Sequence, residues 1–374
     1  MSHIDDSITD TPGQEGPESI GFGNVGSPLR TLIIAPNWIG DAVMAQPLAA
    51  LVRHFDPAGS IDAVAPPHVA PVFRAMAEVS EVIEAPNVHG SLQLRERWRL
   101  SRALRLRRYD RCYVLPNSLK SAIAPFLAGI PQRIGHRGEA RYGLVNRLHD
   151  DGAAREQPMV EFYARLAFDP KAPLPASIPN PVLARQPARE RAARARVGLG
   201  AADPLLVLCP GAEYGDAKRW PARHYAALAS LAAIEWPETT IVLLGSARER
   251  ALATEIAALS GQEVRNLCGE TRLDEALALI ATAAGVVSND SGLMHVAAAY
   301  GRPQVAVFGS SDPRHTPPRS PRARVEWLHL ECSPCFERTC PLGHTNCLNQ
   351  VSPAAVFESL RKAMRFETAA RPPR

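Results

Sequence analysis

The chain has 374 residues with 42 Lys and Arg against 38 Asp and Glu, a net charge of +4, and is 46% hydrophobic and 21% charged. That balance fits a soluble globular protein long enough for two α/β domains, and so small a net charge is no argument for nucleic-acid binding. The longest nearly apolar stretch, residues 42–52, contains Gln46 and Pro47 and is shorter than the roughly 20 residues that span a bilayer, so no transmembrane segment is expected.

Residues 1–28 begin acidic and are rich in Gly, Pro and Ser. Without a basic start and an apolar core they are not a secretory signal, and a disordered extension is expected. Gly21-Phe22-Gly23-Asn24-Val25-Gly26 matches the dinucleotide-binding pattern formally. It precedes the first strand instead of following it, and no helix comes directly after, so it lends no support to a dehydrogenase.

Residues 31–36 are the first predicted strand, Asn37-Trp38-Ile39-Gly40-Asp41 is a turn, and a helix then runs towards Phe55. Asp41 would stand at the carboxyl edge of that strand. A carboxylate there can take the proton of an attacking hydroxyl, and one such base suffices for a single in-line displacement with inversion. The neighbouring helix amides are expected to lower its pKa. Equally, Asp near a helix N-terminus is favoured for structural reasons alone.

Short apolar runs at 61–65, 82–84 and 112–115 alternate with helix-like stretches, the rhythm of a parallel sheet covered by helices. Within this half, "RERWRLSRALRLRRYDR" (95–111) sets eight arginines against one Glu and one Asp, with Trp98, Leu100, Leu104 and Leu106 between them. It reads as an amphipathic helix with a solvated arginine face. Through Arg97, Trp98, Arg105 and Arg108 that face would also suit anionic lipid.

Around residues 170–204 the composition turns Pro- and Ala-rich, as expected of a domain linker. The organisation expected is a first domain over 29–185, a second over 186–350, and a C-terminal helix and tail over 351–374. In the second half the rhythm restarts with strands at 205–209 and 240–244 and helices at 222–233, 247–259 and 273–284. No short internal repeat is present. Two similar halves leave a cleft between them.

Lys218 lies in the loop of "LCPGAEYGDAKRWPARHYAALAS". The chain has four lysines in all, so a lysine here hints that a compact, flexible point charge is wanted. A departing pyrophosphate is such a place, because charge builds on it as the bond to it breaks; an ordinary exposed loop lysine is the alternative.

Further on, the strand at 285–288 turns into the helix at 293–300 through Asn289-Asp290-Ser291-Gly292, and a strand at 304–308 follows. The unit is a right-handed parallel crossover. Ligands bind where such strands end and helices begin. The first helical amides carry partial positive charge, and Ser291 and Gly292 would let a phosphate approach the backbone. Asp290 is suited to accept hydrogen bonds from hydroxyls, so a sugar nucleotide fits; a plain helix cap at Asp290 or Ser291 is the competing explanation.

Several stretches together resemble the ADP-heptose:lipopolysaccharide heptosyltransferases of glycosyltransferase family 9: "APNWIGDAVMAQPL", "YDRCYVLPNSLKSAIAPFLAGIPQRIGHRGEARYGLVN", "CPGAEYGDAKRWP", "LLGSARE" and "SNDSGLMHVAAA". The similarity runs from Leu32 to about Ala363 and is strongest to members that add the second heptose. It implies a GT-B fold, two Rossmann-like domains facing a central cleft, and inverting transfer without a catalytic metal. The donor would be ADP-heptose and the acceptor heptosyl-Kdo-lipid A at the inner leaflet of the cytoplasmic membrane, with no nucleic acid involved. By the family's pattern Asp41 is the base, Lys218 contacts the donor phosphates, and Asp290, Ser291, Gly292 and His295 surround the donor sugar and pyrophosphate.

Residues 332–347, "CSPCFERTCPLGHTNC", place Cys332, Cys335, Cys340 and Cys347 at a compact zinc-like spacing. A structural zinc or a reduced thiol cluster are both open, and disulfides are not expected in a cytosolic protein. Rival functions are heptosyltransferase I or another family 9 transferase and, more distantly, a sugar-nucleotide 2-epimerase of the same design. A non-catalytic polyanion-binding module built on the arginine run is the last, with Trp98 and Tyr109 the aromatics inside the run to stack on bases.

Overall fold

The structure, a computed structural model, describes residues 27–85, 94–151 and 157–369. The acidic extension and its Gly-x-Gly-x-x-Gly run, up to residue 26, lie outside the described residues, as does the end of the tail.

The first half comprises β1 (Arg30–Ile34), α1 (Ile39–Met44), α2 (Gln46–Phe55), β2 (Ser60–Ala65), α3 (Ala70–Arg74), β3 (Glu81–Glu84), α4 (Leu94–Arg107), β4 (Arg111–Val114), α5 (Ile123–Leu127), β5 (Gln132–His136), β6 (Arg147–His149) and α6 (Met159–Ala164). Its strands pair in parallel in the order β3-β2-β1-β4-β5-β6.

The second half comprises α7 (Pro187–Arg196), β7 (Leu205–Cys209), α8 (Ala222–Glu235), β8 (Thr240–Leu243), α9 (Arg250–Ser260), β9 (Val264–Asn266), α10 (Leu273–Ala281), β10 (Gly285–Asn289), α11 (Gly292–Ala299), β11 (Gln304–Val307), β12 (Ala323–Glu326), α12 (Asn346–Asn349) and α13 (Pro353–Ala369). Its parallel sheet runs β12-β11-β10-β7-β8-β9.

Counted from its own first strand, each sheet has the same order, with the reversal between β1 and β4 in one and between β7 and β10 in the other. Ligands of such sheets bind beyond the carboxyl ends of the strands at that reversal. β7 and β10 are buried along their whole length, as expected for central strands covered on both faces; β7 is accordingly an apolar run without alternation, and β10 is one up to Val287.

The halves are stitched together. One apolar cluster extends from Leu48 and Phe73 in the first half to Leu279 and Val296 in the second. Residues 171–186 run without helix or strand, as their prolines dictate. Along this stretch Ala184 N–H donates to Ala75 O (2.7 Å) and Leu183 N–H to Ala299 O (3.1 Å), one bond to each half. A returning segment adds Met159 N–H to His315 O (3.0 Å) and the Arg319–Glu161 ion pair. Among the described residues no helix is long and apolar enough to cross a membrane.

Candidate active site between the two sheets

Asp41 follows β1, in the first turn of the six-residue α1. Its carboxylate accepts a hydrogen bond from the Tyr163 hydroxyl of α6 at 3.2 Å, across 122 positions of sequence. Burial pushes the Asp41 carboxyl up to about 6, and the Tyr163 hydrogen bond pulls against that shift. The expected depression by helix amides is thus overturned: one short helix start cannot offset the loss of water around a carboxylate. The Tyr163 phenol is itself held well above its ordinary range by burial and by the Asp41 charge.

Opposite, Lys218 ends a short 3-10 turn, Asp216–Lys218, in the β7–α8 loop. Its ammonium donates to Asp290 Oδ2 at 2.5 Å and lies 4.9 Å from the centre of the Tyr214 ring. The Ser311 hydroxyl donates to the same Asp290 oxygen at 2.6 Å. Asn289 is structural: its Oδ1 accepts from Trp220 N–H and the Tyr225 hydroxyl, both at 3.1 Å, and its Nδ2 donates to Pro210 O at 2.7 Å. The polar knot after β10 therefore holds the lysine loop through Asn289 and the lysine itself through Asp290. Ser291 precedes α11 in an extended conformation and makes no side-chain cap bond, so the plain capping explanation fails there.

Gly40 and Gly292 bring the halves into contact. A Cβ on Gly40 would come within 2.9 Å of His295 Cδ2, and one on Gly292 within 2.8 Å of Ile39 Cβ. At position 292 the missing side chain thus admits the facing helix α1. His295 is buried against this contact, and burial pushes its imidazole down to about 4, with Asp290 opposing and Lys218 reinforcing the shift. It is neutral at physiological pH.

These residues line one cavity of about 570 Å³, with Asp41 and Gly40 on one wall and Lys218, Asp290, Ser291, Gly292 and His295 on the other. A second chamber of about 680 Å³ shares Ile39, Ser291 and Gly292 with it and reaches past the ends of β7 and β8 to Glu249 and Leu273. Glu249 takes both the N–H (2.7 Å) and the hydroxyl (2.5 Å) of Ser246. All the residues singled out at the reversal points are thus brought together.

The cysteines are not part of this site. Cys332, Cys335, Cys340 and Cys347 are free thiols, each partly exposed. Among the described residues no group of three or more His, Cys, Asp or Glu side chains is disposed to hold a metal ion. Backbone N–H groups of its own turn, Thr345 foremost, lower the pKa of Cys340. The structural zinc suggested by the spacing is not supported.

The arginine run does form a helix, α4, but its faces differ from expectation. Arg97 is buried and donates to Lys120 O at 2.5 Å, so it cannot present charge to a surface. The solvent stripe is Arg95, Trp98, Arg99, Arg102, Arg105 and Leu106, with Arg102 stacked 5.0 Å over Trp98. Trp98 is 53% and Leu106 85% exposed.

Tyr163 and Ser311 escaped the sequence reading, because each acts on a residue far along the chain. Glu249 carried a legible signal, the Ser-x-x-Glu capping box at Ser246.

Comparison with known proteins agrees with this geometry. The family model described as glycosyltransferase family 9 (heptosyltransferase) matches residues 97–346. Lipopolysaccharide heptosyltransferase 2 of Escherichia coli K12 is 42% identical over 350 residues, covering 91% of this chain and 100% of its own. Lipooligosaccharide heptosyltransferase 2 of Haemophilus influenzae is 40% identical over 309 residues, 79% of this chain and 88% of its own. The solved E. coli ADP-heptose lipopolysaccharide heptosyltransferase II superposes with a TM-score of 0.80 at 40% identity, over 91% of this chain and all of that one. The two facing parallel sheets are the GT-B fold, and the chain belongs to glycosyltransferase family 9, the heptosyltransferases.

Proposed function

We propose that this enzyme moves L-glycero-D-manno-heptose from ADP-heptose to the heptose already carried by Kdo-lipid A of the lipopolysaccharide inner core, with inversion. The observation that carries the reading is the shared cavity of Asp41 and Lys218: a carboxyl raised to about 6 on one wall, an ammonium on the other. The names of the two relatives above support the choice of the second heptose.

In this scheme the diphosphate lies along the first amides of α11 beside Lys218, with the nucleotide in the larger chamber and the sugar in the smaller. Asp41 takes the proton of the acceptor hydroxyl as its oxygen attacks the anomeric carbon. The bond from that carbon to the diphosphate oxygen breaks, and ADP leaves. A carboxylate with a pKa near 6 is mostly ionised at neutral pH, yet it is a stronger base than an ordinary Asp by about two orders of magnitude. Lys218 meets the charge that grows on the departing diphosphate, having been neutralised by Asp290 until then. The scheme uses no metal ion.

The acceptor comes from the first half. A cavity of about 310 Å³ between the ends of β1–β3 and α4, bordered by Arg97 and Arg99, supports this approach. The outer stripe of α4 supports docking at an anionic inner-leaflet surface, since arginines alternating with Trp98 and Leu106 offer charge and insertion together.

The test is mass spectrometry of products from ADP-heptose offered with two acceptors, one lacking and one carrying the first heptose. Product from the second alone is expected. Product from the first alone would point to heptosyltransferase I, and conversion of ADP-heptose with no acceptor to an epimerase.

A further inference from the structure

Asp41 is surrounded by charged and titratable groups on several sides: Lys218, Asp290 and Glu213 across the cavity, His68 after β2, and His295 on the facing helix α11. Yet the hydrogen bond that reaches its carboxylate among the described residues comes from a neutral group, the Tyr163 phenol. Tyr163 is buried, and its helix is fixed on three sides. The neighbouring Phe162 stacks on His136 at 3.7 Å, Glu161 pairs with Arg319, and Met159 N–H bonds to His315 O.

We propose that Tyr163 is a positioning residue for heptose transfer, its hydroxyl engaging Asp41 Oδ1 so that the other carboxylate oxygen is left for the acceptor. The inference rests on the reading of Asp41 as the base. Its logic is one of degree. A buried carboxylate with no donor would be protonated to a larger extent near neutral pH and be free to turn. One paired with Arg or Lys would fall to the low end of the carboxylate range and lose its basicity. A single neutral donor lies between these limits: it stabilises the ionised form modestly, fixes the orientation of the group and leaves one oxygen unengaged. The buried phenol in turn needs Asp41 as its acceptor.

The test is the pH profile of transfer for wild type, Tyr163→Phe, and the protein with 3-fluorotyrosine incorporated at 163. Loss of the donor should move the acid limb of kcat/KM upward by about half to one pH unit and lower kcat at pH 7 by about tenfold, with the KM for ADP-heptose within about twofold. The more acidic fluorinated phenol is the stronger donor and should move the limb downward. A role in packing alone would change thermal stability and leave both limbs in place, and coincident profiles for the three proteins would overturn the proposal. Should Tyr163→Phe not fold, the fluorotyrosine protein, which preserves the ring and hydroxyl, decides by the same criterion. Asp41→Asn is assayed alongside. If it transfers at near wild-type rate, the base is elsewhere and Tyr163 loses its role; if it is inactive while the tyrosine variants keep the wild-type profile, Asp41 stands and the inference about Tyr163 alone fails.

Discussion

Gly292 of the second half faces Ile39 of the first so closely that a Cβ at position 292 would lie 2.8 Å from that of Ile39. Real Cβ atoms do not approach so near, so Gly292→Ala must push α11 away from α1. Besides the shared cluster each half has one of its own, and the fold should survive, since overpacking of this kind costs about 1–3 kcal/mol. Transfer should fall by about tenfold or more because base and donor site separate. Thermal melting and transfer rate, measured together, check this; an unchanged rate would mean that the two helices need not touch for turnover.

Asp41→Asn keeps size and shape and removes the base. ADP-heptose should bind nearly as in wild type, while transfer falls by about 10² to 10⁴. In the proposed scheme activity requires the ionised carboxylate, so kcat/KM should decline about tenfold per unit below roughly pH 6, where burial has raised the group. If the variant retains near wild-type activity, or the limb lies near pH 4, the assignment is wrong.

Lys218→Ala should lower kcat by about 10² with folding little affected. Lys218→Arg should rescue poorly. The ammonium fits between Asp290 Oδ2 and the Tyr214 ring, and a planar fork has another shape and reach. Full activity in the arginine variant would reduce Lys218 to a replaceable surface charge.

Much of this site was legible because the reversal points of parallel sheets leave local marks. A β-branched run, a polar turn and a small-residue helix stand consecutively at Val286 to Ala299, and Asp41 and Lys218 follow the strands β1 and β7. What was not legible arises from long-range proximity. No local pattern predicts that Tyr163 meets Asp41, or that Gly292 faces Ile39. The pKa of Asp41 was misjudged in sign for the same reason: the helix start is local, whereas the burial that dominates is supplied by the rest of the fold. At Arg97 composition misled, since eight arginines in a run say nothing of which one turns inward to Lys120 O.

Acid should destabilise the fold. Burial holds His136, His149 and His295 down to about 4, from 6.5 in the open chain. Between these values the unfolded chain binds protons that the folded chain refuses, so stability drops as pH falls through that window. Asp41 works in the opposite sense between about 6 and 3.8, where the folded chain is the better proton acceptor. Three groups against one leave a net loss, seen as a melting temperature that falls from pH 7 to 4.5. Among the described residues both ring nitrogens of His149 are buried without a hydrogen-bond partner, and His149→Leu should flatten that slope; an unchanged slope would place the acid sensitivity elsewhere.

Vesicle flotation checks the outer face of α4. Binding should require anionic lipid and weaken when Trp98 and Arg105 are replaced together by Ala and Gln. Flotation independent of lipid charge, or indifferent to that pair, would remove α4 as the docking surface.

Asn289 lies outside the proposed chemistry, yet its side-chain hydrogen bonds fasten the Lys218 loop to the core of the second sheet. A phosphate-gripping loop that is ordered only by its ligand must surrender conformational entropy at every turnover. Here that entropy is surrendered once, when the chain folds. In the proposed scheme ADP should therefore bind with a heat-capacity change close to that of burying the nucleotide itself, the loop being ordered before any donor arrives.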